Sequence, residues 1–94
     1  MTPAIANLIA AVRAIGPEAA GVTLHFDPLT VDVRINAHTD ESAAVLAVRL
    51  GCLDYDLATA NGREWPEYRT PNYWASDLRI AVSGPHRAAG ERAA

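Results

Sequence analysis

Three short spacings in this chain set groups side by side that could do chemistry. His25-x-Asp27 and His38-x-Asp40 each place an imidazole and a carboxylate two residues apart, which an extended segment turns to one side. These are zinc-ligand types at a workable local spacing. Asp54-x-Asp56 places two carboxylates on one strand face, an arrangement for a divalent cation or for acid–base work. A metal-dependent or small-molecule enzyme using His25, Asp27 and His38, or Asp54 and Asp56, is therefore one alternative reading. Each residue also has a plainer task. Asp27 precedes Pro28 in a turn, Asp40 opens a helix and meets the positive end of its dipole, and aspartates on a wet strand discourage edge pairing.

Other reactive groups find no setting. Cys52 is the lone cysteine, so no disulfide can form within the chain, and a thiol just past a helix C-terminus has its pKa raised. Ser42, Ser76 and Ser83 lie in no Gly-x-Ser-x-Gly elbow, and there is no glycine-rich phosphate loop. No catalytic residue, metal or cofactor is assigned.

The segment from Trp65 to Trp74 is richer. Trp65, Tyr68, Arg69, Tyr73 and Trp74 are the residue types that dominate interface hot spots, because they bury much surface at small entropic cost and keep a polar handle. They read as a partner-binding surface, or as rings folded over one end of a sheet in a protein with a single Phe. Stacking of Tyr68, Tyr73 and Trp74 beside Arg63 and Arg69 would also suit single-stranded nucleic acid. Charge opposes that third reading. The chain has 8 Lys+Arg, every one an arginine, against 11 Asp+Glu, for a net charge of −3, and the arginines are scattered singly. The phosphate-neutralising stripe that supplies most nucleic-acid affinity is missing.

These residues must be positioned by a small domain. At 94 residues the chain holds one core, which buries roughly 60–65 % of the unfolded surface, so dimerisation is a natural supplement. Thr2-Pro3 starts a helix in which Ile5, Leu8, Ile9 and Val12 form one apolar stripe, ended by Gly16-Pro17. Val22, Leu24 and Phe26 alternate with Thr23 and His25. After Asp27-Pro28, Val31, Val33 and Ile35 alternate with Asp32, Arg34 and Asn36, completing an antiparallel hairpin with one buried face. A helix capped by Thr39 runs to Leu50 and stops at Gly51. Leu53, Tyr55 and Leu57 form a third strand, and Asn61-Gly62 predicts a type I′ turn into a short return strand that Pro66 interrupts. An irregular loop from Pro66 to Ala75 then precedes a last strand around Leu78, Ile80 and Val82.

The expected fold is α+β: a two-layer sandwich with a four- or five-stranded, mostly antiparallel sheet and two helices on one face, in the order α-β-β-α-β-(β)-β. The strands flanking the second helix could be parallel neighbours joined by a right-handed crossover. Residues 1–85 form the domain and 86–94 a flexible tail. The apolar stretch Ile5 to Ile15 is too short to span a bilayer and lacks a charged leader, so no membrane partner and a cytoplasmic location are expected.

Leu50-Gly51 closing a helix, an acidic stretch, a Trp-containing loop and Leu78-Arg79-Ile80-Ala81-Val82-Ser83-Gly84-Pro85 together resemble small uncharacterised accessory proteins of high-GC actinobacteria and their phages. The likeness covers the C-terminal third to half and brings no assigned activity. The preferred expectation is a non-enzymatic protein-interaction module, accessory or regulatory, that binds another protein or itself as a homodimer.

Overall fold

The computed structural model of the chain describes residues 3–90, and side chains from residue 6 onward. The elements are α1 (Pro3–Ala14), β1 (Ala19–Phe26), β2 (Val31–Ala37), α2 (Asp40–Leu50), β3 (Asp54–Ala60), β4 (Arg63–Arg69), a 3-10 turn (Tyr73–Ala75), β5 (Leu78–Ser83) and β6 (Arg87–Ala88). The fold is α+β, with the element order expected from the sequence. The Thr2 cap of α1 lies outside the described residues.

Local signals act as their chemistry requires. The Thr39 Oγ1 accepts from the Ser42 amide at 3.0 Å, and Asp40 and Glu41 occupy the first turn of α2. At the other end Gly51 takes φ 72°, its amide donating to the Val48 carbonyl, while the Cys52 amide donates to the Ala47 carbonyl at 2.8 Å. That pair of bonds is a Schellman closure, and glycine at the left-handed position avoids a Cβ penalty. Asn61 and Gly62 both have positive φ, as a type I′ turn between β3 and β4 demands.

The sheet order is β1-β2-β5-β4-β3, with β6 continuing alongside β4 where β5 ends. β2 and β5 are parallel, and the other pairings are antiparallel. The crossover expectation is corrected here. The parallel neighbour of β2 is β5, not β3, because the β3–β4 hairpin is inserted after α2 and goes to the far edge. Both helices lie on one face. α2 packs across β2, β5 and β4, and α1 rests on α2 and β5. Val33, Ile35, Leu46, Cys52, Ile80 and Val82 form the centre of the core.

Three expectations about faces and boundaries change. In α1 the stripe Ile5, Leu8, Ile9, Val12 is not the buried one. Ala11 is buried, with Leu8 and Ile15 packed beside it, while Ile9 and Val12 are exposed and the Ile5 side chain lies outside the described ones. The helix is apolar on more than one side, and its alanine side turns toward α2 and β5. In β1, Val22, Leu24 and Phe26 share the helix side of the sheet but stay largely exposed, since the helices centre on the inner strands. Finally, Pro66 does not end its strand; β4 runs through it to Arg69.

The reason lies opposite Pro66. Its carbonyl accepts from the Gly84 amide at 2.9 Å, so its missing N–H falls on that same side, at the break between β5 and β6. A side chain at Gly84 would begin 2.6 Å from the Pro66 ring. The ring therefore fills a gap that only glycine leaves. The beginning of the expected tail is held against β4 and α2: β6 pairs with β4, the His86 ring stacks on Trp65 of β4 at 3.9 Å, and Arg87 pairs with Asp40 of α2. Residues 91–94 lie outside the described ones. No helix among the described residues is long and apolar enough to cross a membrane.

Candidate protein-binding cleft

The strand register carries polar side chains in rows across the face away from the helices. One row reads Thr23, Arg34, Ala81, Arg69, Asp54, and the next reads Asn36, Ser83, Glu67, Asp56. Glu67 lies nearly buried at the centre. Its carboxylate is paired with Arg69 at 2.5 Å and Arg34 at 3.6 Å, and the Ser83 hydroxyl donates to it at 3.4 Å. Two arginines are thereby committed to one acid, which fixes the Arg69 guanidinium at the edge of a cleft.

The opposite wall comes from the turn after β4. The Thr70 amide donates to the Ile80 carbonyl at 3.0 Å, and the chain then reverses at Asn72, which takes φ 55°. Asparagine tolerates that left-handed conformation better than most residues. The Asn72 carbonyl accepts from the Ala75 amide at 2.9 Å and from the Ser76 hydroxyl at 3.0 Å, closing the 3-10 turn. This turn sends neighbouring rings in different directions: Tyr73 is 6 % exposed and Trp74 is 70 % exposed.

Trp74 is exposed but braced. Tyr73 meets it edge-on at 4.9 Å, with an interplanar angle of 86°. Arg79 lies 5.6 Å over its ring, while the same guanidinium donates to the carbonyls of Trp74 at 2.9 Å and Ser76 at 3.2 Å. Arg69 stands 5.5 Å over the Tyr73 ring. Such contacts favour a cation at the ring face and hold the aromatic pair in a fixed pose.

Between these walls lies an open cleft of about 480 Å³, lined by Asp54, Tyr55, Asp56, Arg69, Asn72, Tyr73, Trp74 and Ala75. One side is aromatic with a guanidinium, and the other carries two carboxylates.

The five residues expected to form one binding surface are divided by the strand. Arg69, Tyr73 and Trp74 share the cleft. Trp65 lies on the same face of β4 but stacks on His86 at a distance along the strand. Tyr68 points to the helix side, tilted against Tyr55 at 5.1 Å and packed on the core, with its pKa raised chiefly by burial. Adjacent parity in a strand that continues through Pro66 makes this unavoidable. Arg79 was missed as a member of the site. Its alternation in the last strand put it on the open face, but nothing local linked it to Trp74.

The metal and acid–base constellations fare differently. His25 Nε2 lies 3.5 Å from Asp27 Oδ1 at one end of the β1–β2 ladder. His38 lies past the other end, beyond the Ala19–Ala37 pair, roughly 20 Å along the strand. The two pairs therefore do not converge, and no group of three metal-ligating side chains occurs among the described residues. Asp54 and Asp56 do share a face and line the cleft, with Asp54 in register with Arg69. Cys52 is buried in the core, its thiol directed at the Ile80 carbonyl and its pKa pushed up to about 12 by burial.

Compared with protein-family models, with curated proteins and with solved structures, the chain finds no match in any of the three.

Proposed function

We propose that this chain is a non-enzymatic interaction module that binds another protein through the cleft centred on Trp74, and that it also self-associates. The observation that carries the reading is the braced exposure of Trp74. A large ring held in water by Tyr73 and Arg79 loses little freedom on binding, and removing it from water is favourable by about 2 kcal/mol or more. Arg69 and the carboxylates of Asp54 and Asp56 supply orientation around it. The proposed setting is cytoplasmic, in a high-GC actinobacterium or its phage, following the resemblance of the C-terminal half.

The test is affinity capture with wild type and Trp74→Ala in parallel. A protein retained by the wild type and lost from a folded Trp74→Ala variant supports the module. Identical retention on both columns removes the cleft from the account.

A further inference from the structure

Among the described residues, strand β1 is a bare edge of the sheet, paired with β2 alone. The Asp27 amide donates to the Thr30 carbonyl at 2.9 Å, and the Val31 amide turns the other way, to the Asp77 carbonyl at 2.7 Å. Antiparallel partners alternate between bonded and non-bonded pairs, so the positions bonded to β2 are Asp27, His25 and Thr23. The main-chain groups of Phe26, Leu24 and Val22 consequently point outward, with no strand of the described residues beside them. The same three residues carry exposed apolar side chains, at 62 %, 42 % and 45 %. Unpaired backbone and unburied apolar surface thus coincide residue for residue.

The other long edge differs. β3 carries exposed Asp54 and Asp56, the kind of charge that keeps a free edge from pairing. From Ala19 to Phe26, β1 has no carboxylate, no arginine and no proline.

We propose that β1 pairs antiparallel with β1 of a second copy, across a two-fold axis at Leu24. This inference rests on the self-association part of the proposed function and names its interface. In that register Leu24 meets its own counterpart, Val22 meets the second copy's Phe26, and Thr23 meets its His25. All three outward-facing residues are used, giving about six main-chain hydrogen bonds. Asp27 falls opposite Gly21, where the space a side chain would take is open, and the bulge next to Gly21 ends the pairing. No like charges oppose one another. The strand is its own complement, which selects a second copy over a foreign strand.

Sedimentation across protein concentration, with variants at position 24, tests this. Wild type is expected to approach twice the 10.0 kDa chain mass. Leu24→Lys and Leu24→Glu place like charges face to face and should each weaken self-association about tenfold or more, while an equimolar mixture of the two recovers the dimer. Wild type that stays monomeric overturns both the interface and the self-association reading. Variants that remain dimeric, or that fail to recover on mixing, overturn the β1 interface alone, as does a dimer lost in Trp74→Ala. Hydrogen exchange on the wild type gives a readout free of substitution. The amides of Val22, Leu24 and Phe26 should be protected at high concentration and exchange freely on dilution, and exchange independent of concentration contradicts the pairing.

Discussion

Arg79 holds Trp74 twice: its guanidinium lies 5.6 Å over the indole ring and donates at 2.9 Å to the carbonyl of the same residue. A side chain that fixes both the ring and the backbone of its neighbour makes a presented surface out of what would otherwise be a mobile ring.

Tyr73 and Trp74 should therefore part company on substitution. Tyr73→Ala removes a buried ring and is expected to lower stability by about 2–4 kcal/mol, whereas Trp74→Ala stays within about 0.5 kcal/mol. Urea unfolding of both variants reads the difference. Equal losses would make Trp74 a packing residue.

Gly84→Ala should destabilise the fold by about 1–3 kcal/mol, since the new methyl starts 2.6 Å from the Pro66 ring and 3.0 Å from Asp40 Oδ1. The cost should shrink when Pro66 is also replaced by alanine. A double-mutant cycle by thermal unfolding measures the coupling.

The Glu18 carboxylate, bonded to Arg49 at 2.9 and 3.0 Å, ties the start of β1 to the end of α2. That pairing with Arg49 lowers its pKa from 4.5 to about 2. A carboxylate with a depressed folded pKa contributes stability that is complete above about 4.5 and is lost as pH falls toward about 2. Glu18→Gln should flatten the pH dependence of the melting temperature in that window and leave the slope above it unchanged. Salt should diminish the effect, because the pair is partly exposed.

Cys52 should resist alkylation in the native protein at neutral and mildly alkaline pH and react fully once unfolded, because burial pushes its pKa up to about 12. The labelling rate under increasing denaturant should follow global unfolding. Rapid labelling without denaturant would mean that the core beside Ile80 opens locally.

What was legible in the sequence was local. The Asp27-Pro28 and Asn61-Gly62 turns, the Thr39 cap and the Gly51 stop each depend on a few neighbouring residues, and each forms as those residues imply. Strand order depends on contacts far apart in sequence. The parallel pairing of β2 with β5 joins Val31 to Leu78, and no local signal encodes it. Pro66 misled because its meaning is set by Gly84, a residue that becomes its neighbour only in the folded sheet. The site was half legible for the same reason. Residue types pointed to Trp74 and Arg69 as candidates, which line one cleft, but only the continuation of β4 separates Tyr68 from them, and only the return of β5 brings Arg79 to the ring.

The central claim is most directly tested by the dissociation constant of a captured partner for wild type and for Trp74→Ala, with an unfolding curve of the variant alongside. Loss of a hot-spot ring predicts binding weakened about 30-fold, equivalent to about 2 kcal/mol, with stability unchanged. Equal affinity for both proteins, or a loss matched by unfolding of the variant, would contradict it.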